Sequence, residues 1–199
     1  SSGHIMDRLL SGDVGFGKTE VAMNTIFAAY KSGFQSALIV PTTLLSAQHY
    51  RSLAQRFDAL GIRVAKLDRF VSAKDKTNIT KALREGILDA VVGTHALFDL
   101  DFKNLGVVII DEEHKFGVKQ KEKIKELYNN VHLLSMSATP IPRSLNQALS
   151  SIKTMSQLLT PPSEREPVRT FVKEYEEKLI KEVILREIRR GGQIFYVHN

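Results

Sequence analysis

From Asp7 onward, short apolar runs alternate with segments of helical period. A run at 8–10 ends at Gly12, and others occupy 37–40, 64–67, 90–92, 107–110 and 131–134, rich in β-branched residues. Continuous apolarity of this kind suits strands buried on both faces, as in a parallel sheet. Between the runs, Val21, Ala22, Ile26 and Ala29 repeat at helical spacing, as do Leu45, His49, Leu53, Phe57 and Leu60. Shorter helices are predicted over 74–84 and 119–127. Thr42 or Thr43, after Pro41, is a suitable N-cap, and Gly33 and Gly61 stand where helices should stop. The alternation predicts an α/β domain, a doubly wound parallel sheet flanked by helices.

The pattern changes near Ser151. Thr160-Pro161-Pro162-Ser163 is a break, and Val168-Arg169-Thr170-Phe171-Val172 alternates like a strand. The segment 175–190 reads as an amphipathic helix with Leu179, Ile180, Val183, Ile184 and Ile188 on one face, and Glu177/Lys181 and Glu182/Arg186 as favourable pairs. Gly191-Gly192 ends it, and 193–197 is expected to begin another buried strand. The expected division is therefore 6–153 for the α/β domain and 154–199 for a linker and the truncated start of a second one. Residues 1–5, with no apolar h-region, read as an expression scar.

Composition adds exclusions. A length of 199 residues suits one domain, or one and part of another. Hydrophobic content of 43% with 25% charged residues excludes wholesale disorder. No apolar run reaches the roughly 18 residues of a membrane span. The absence of cysteine removes disulfides, thiolate nucleophiles and Cys-ligated metal sites. With no signal or transit peptide, this points to the cytoplasm. A formal charge of +6 makes a polyanionic partner plausible.

The strongest chemical signal is Gly12-Asp13-Val14-Gly15-Phe16-Gly17-Lys18-Thr19, which fits G-x-x-x-x-G-K-[ST] between a short strand and a helix. The glycines let backbone N–H groups turn inward around phosphate oxygens, and the helix N-terminus adds partial positive charge. Lys18 would reach the β- and γ-phosphates of ATP and the Thr19 hydroxyl would bind Mg²⁺. A chance Gly-rich turn is the bland alternative, disfavoured by the strand–helix context.

Such a loop leaves kinases, GTPases, transport ATPases and nucleic-acid motors open. The run 107–110 followed by Asp111-Glu112-Glu113-His114 narrows them. A carboxylate ending a buried strand is the expected Mg²⁺ partner of the loop threonine, so Asp111 takes that role. Glu112 is placed to orient or deprotonate the attacking water; a solvated acidic strand end is the competing reading. No Asn-Lys-x-Asp follows, which counts against a G protein. His114 has no metal-spaced companion and is expected to hydrogen-bond towards Ser137-Ala138-Thr139, whereas His49 and His132 read as core-edge or surface residues.

Asp-Glu-x-His after such a loop, then Ser-Ala-Thr, resembles the superfamily 2 helicases and translocases, which hold ATP between two RecA-like lobes. The strings GDVGFGKTE (12–20), VPTTLL (40–45), GTH (93–95), DEEHKFGV (111–118), ATPIPR (138–143) and GGQIFYVHN (191–199) resemble the translocase module of the bacterial transcription-repair coupling factors, the Mfd family. RecG helicases share many of these strings but typically have Ser where Phe16 stands and Gln where Glu113 stands.

The resemblance implies a RecA-like lobe followed by the start of a second, ATP-driven movement on double-stranded DNA, and, in the parent protein, displacement of stalled RNA polymerase and recruitment of excision-repair proteins. Lys18, Asp111 and Glu112 would be catalytic. Thr42, Thr43, Thr94 and His95 match motifs that in relatives lie near the DNA strand. Arg69 falls in the family's Ser-Arg-Phe element, with Asp68 in place of Ser. Capping is an equally good role for Thr42 and Thr43, and both can hold. The family's adenine-reading glutamine segment, the second lobe's arginine motifs and the partner-binding domains do not occur in the sequence. A motor fragment that binds nucleotide with almost no turnover is therefore expected; a RecG-like fragment or a pure nucleotide- and DNA-binding module are the alternatives.

Overall fold

The computed structural model describes residues 5–128, 130–138, 154–161 and 170–198. Seven strands form one sheet: β1 (Asp7–Gly12), β2 (Gln35–Ile39), β3 (Val64–Leu67), β4 (Ala90–Gly93), β5 (Leu105–Ile110), β6 (His132–Ser137) and β7 (Thr154–Leu158). Their order is β3-β4-β2-β5-β6-β1-β7, and every pairing is parallel. Among the described residues, four helices accompany them: α1 (Lys18–Lys31), α2 (Thr43–Phe57), α3 (Ala73–Glu85) and α4 (Val118–Leu127).

Because successive side chains point to opposite faces, a strand covered on both sides is apolar throughout. In β2, Leu38 faces one core with Ile26 of α1 and Phe57 of α2, while Ala37 and Ile39 face the other with Leu83 of α3 and Ile124 of α4. The six sequence-derived runs correspond to β1–β6, and the doubly wound arrangement is as expected.

The boundary near 153 is not where the structure divides. Thr154–Leu158 forms β7 beside β1, Arg8 Nη1 donates to Ser156 Oγ at 3.0 Å, and Thr154 Oγ1 donates to the Asp7 carbonyl at 2.9 Å. The compact units are 1–163 and 164–199. The second contains α5 (Glu177–Arg189), as the helical pattern predicts. The strands expected at 168–172 and 193–197 are absent among the described residues: 170–172 and 193–197 are irregular, and 168–169 lie outside the described set. An extended segment becomes a strand only when a neighbour takes its N–H and C=O groups, and no such neighbour is described. Phe195, expected to be buried, is 90% exposed. Among the described residues no helix is long and apolar enough to cross a membrane.

Tyr128, just after α4, closes the second core and donates its hydroxyl to the Leu97 carbonyl at 3.3 Å. Burial first, and the nearby Asp99 charge second, push its phenol up to about 12. The fold thus favours the protonated phenol. That contribution is complete below the ordinary value near 10 and is lost as pH rises towards 12. Tyr128→Phe should flatten this alkaline fall, so its urea midpoint declines less than the wild type's between about pH 9 and about pH 11. Equal declines would show that Tyr128 does not contribute there.

Candidate nucleotide and nucleic-acid site

The sheet's C-terminal edge carries the chemistry, where α/β sheets bind ligands. The loop from Gly12 to Gly17 leaves β1 and enters α1. Gly15 (φ 80°) and Gly17 (φ 90°) are left-handed, and a Cβ on either would meet no atom within 4 Å. Backbone conformation, not space, therefore requires glycine there. Gly17 is the N-cap of α1 and, having no side chain, leaves the first N–H groups of the helix without a cap from that residue. Lys18 Nζ donates to the carbonyls of Gly12 (2.6 Å) and Asp13 (3.1 Å), placing the ammonium against the start of the loop.

β6 separates β1 from β5, with Ser11 opposite Ser137 and Ile110 opposite Ser135. At about 4.8 Å per strand, Asp111 stands roughly 10 Å across the edge from the loop. Its backbone N–H donates to the Ile39 carbonyl at 2.9 Å. Asp111 Oδ1 accepts from the Glu112 N–H at 3.0 Å, and Oδ2 accepts from His49 Nε2 at 2.7 Å. Among the described residues Glu112 alone is a non-glycine with positive φ, 52°, a conformation uncommon for such side chains and frequent at functional sites. Glu112 Oε2 lies 3.2 Å from His114 Nε2, and His114 Nδ1 lies 3.4 Å from Ser137 Oγ. A neutral ring that donates from Nε2 to the carboxylate accepts from the serine hydroxyl at Nδ1. The expected link from His114 to Ser137 is present, and it extends to Glu112. Glu113 begins the short turn that follows. Thr139 lies outside the described residues, as does the rest of 138–143 after Ala138.

The other half of the edge belongs to β2, β4 and β3. Thr42 follows β2 and caps α2, its side chain accepting from the Leu45 N–H at 3.2 Å; Thr43 is the first residue of that helix. The capping role is thus realised. Thr94 follows β4 and is buried, whereas His95 beside it is exposed. Arg69 follows β3, exposed, with its guanidinium 4.8 Å from the Phe70 ring centroid. The substituted Asp68 is buried, accepts from the Phe70 N–H at 3.0 Å and from Lys66 Nζ at 2.6 Å, and so fixes the turn that presents Arg69. The expected core-edge or surface position holds for His132, which is exposed and accepts from the Met6 N–H at 2.9 Å. It does not describe His49, which is buried in the wall of the site. The available signal was a polar residue on the apolar stripe of α2.

A family model described as DEAD/DEAH box helicase matches residues 2–148. The chain belongs to the DEAD/DEAH box helicase family. Within it, the chain is 63% identical over 199 residues, all of its length, to a transcription-repair-coupling factor of Helicobacter pylori, covering 20% of that protein. It is 50% identical to the one of Escherichia coli, with 98% of this chain and 17% of the relative covered. The chain thus spans about a fifth of the length of these helicase-family relatives. A solved structure of RecG bound to a three-way DNA junction is similar with a TM-score of 0.81 and 42% identity, over 98% of this chain and 26% of RecG.

Proposed function

We propose that this chain is the nucleotide-binding lobe of an ATP-driven motor that moves on double-stranded DNA, with 164–199 the beginning of a second RecA-like lobe. The carrying observation is a phosphate-type loop running into a helix whose N-cap, Gly17, has no side chain, faced across one strand by Asp111 and Glu112. The donors fit magnesium: the Thr19 hydroxyl and the Asp111 carboxylate are hard oxygens. Among the described residues no group of three or more His, Asp or Glu side chains could hold a cation, so phosphate oxygens and waters would complete its shell. Bound there, the ion would neutralise charge on the β- and γ-phosphates.

The chain's own residues then have separate tasks. The backbone N–H groups of 13–19 and Lys18 bind phosphate. Glu112, held by His114, orients the attacking water and takes its proton. His114 carries that position to Ser137 at the end of β6. Thr42, Thr43, Arg69 and His95 face a DNA backbone along β2, β3 and β4, with buried Thr94 supporting the turn. Identities of 63% and 50% to transcription-repair-coupling factors, against 42% to RecG, favour the polymerase-displacing, repair-recruiting role in the parent protein over fork remodelling.

Binding through phosphates should be independent of sequence and should weaken steeply with salt. Fluorescence anisotropy with duplexes of different sequence, and with a three-way junction, tests this. Affinities within about threefold across duplexes are expected. A duplex sequence preference above tenfold, about 1.4 kcal/mol, would contradict a translocating lobe; the same preference for the junction would favour the RecG-like reading.

A further inference from the structure

His49 reaches the site from α2, an element that none of the sequence motifs of the nucleotide site includes. Its side chain is 7% exposed, and Nε2 lies 2.7 Å from Asp111 Oδ2. A carboxylate oxygen has no hydrogen to give, so Nε2 carries the proton and donates. The Glu112 N–H holds Oδ1 at 3.0 Å. The two donors fix the carboxylate about its side-chain torsions. A carboxylate accepts in about four lone-pair directions, so two stay open.

We propose that His49 is the positioning residue that orients Asp111 for the divalent cation of the bound nucleotide. The proposal rests on the nucleotide-site reading above. Outer partners of metal-binding carboxylates are typically worth about 10–100-fold in metal affinity, because a carboxylate free to rotate must be ordered when the ion binds. Through this bond α2, which is capped by Thr42 and starts at Thr43 after β2, ties the β3-β4-β2 half of the edge to the β5-β6-β1 half. A histidine that merely filled the core would affect stability alone.

The test is titration of the full chain with a fluorescent ATP analogue, in Mg²⁺ and in EDTA, for wild type, His49→Phe, His49→Gln and Asp111→Ala. The ratio of the two affinities is the readout. His49→Phe fills the space without a donor and should reduce the gain from Mg²⁺ about tenfold or more, towards Asp111→Ala, with affinity in EDTA nearly unchanged. His49→Gln, whose amide can donate, should retain most of the gain. A wild-type gain in His49→Phe overturns the proposal. If the wild type binds no nucleotide, or Asp111→Ala loses none of the gain, the nucleotide-site reading itself has failed. Imidazole ¹⁵N spectra of the metal-free chain give a readout that needs no folded Phe variant. The expected result is a slowly exchanging Nε2–H on His49 that is lost in Asp111→Ala; a ring protonated at Nδ1 alone overturns the proposal.

Discussion

Lys18→Ala is expected to weaken nucleotide binding roughly a hundredfold or more, while the thermal transition stays close to that of the wild type. Hydrogen bonds to charged groups contribute about 1.5–3 kcal/mol each, and each 1.4 kcal/mol is a factor of about ten. Lys18 is the cation the loop brings to the phosphates, so losing two such contacts gives the stated factor. Stability should change little because the side chain is only partly buried and its present acceptors, the carbonyls of Gly12 and Asp13, can be solvated in its absence. Equal affinities of wild type and variant for a fluorescent ATP analogue would refute the phosphate-loop assignment.

Gly93→Ala should cost about 3 kcal/mol, the upper part of the range for forced overpacking. A Cβ at this position, the last of β4, would lie 2.1 Å from the Leu67 carbonyl oxygen and 2.8 Å from Leu97 Cδ2. The first is backbone of the neighbouring strand and the second is a fully buried side chain, so neither can yield cheaply. In a chain of this size the midpoint of thermal unfolding should fall by roughly 6–12 °C. Because Thr94 and His95 follow at once, DNA affinity should fall as well. A variant as stable as the wild type would show that the β3–β4 contact is looser than described.

What could be read from the sequence depended on how local each signal was. β2 and β5 were legible because both faces of the sheet are covered, so every residue of Ala37–Leu38–Ile39 is apolar. β7 was missed because Thr154-Met155-Ser156-Gln157-Leu158 is an edge strand whose alternation is weak and whose place is fixed by pairing with β1. The opposite error occurred at 193–197, where apolar residues suggest a strand but pairing decides. The phosphate loop and Asp111–His114 are contiguous strings in which residue type and spacing reflect the chemistry. The bond from His49 to Asp111 spans 62 positions; it exists because α2, packed on β3 and β4, carries His49 to the end of β5, which no local pattern encodes.

Amide hydrogen exchange with and without Mg²⁺ and ATP tests the central claim most directly, since it reads the backbone groups said to hold the phosphates. Exchange should slow at Asp13–Thr19 and at Glu112, with α3 and α5 unchanged. Saturating nucleotide that leaves the loop amides exchanging at their unbound rate would contradict a phosphate site there, and with it the motor-lobe reading.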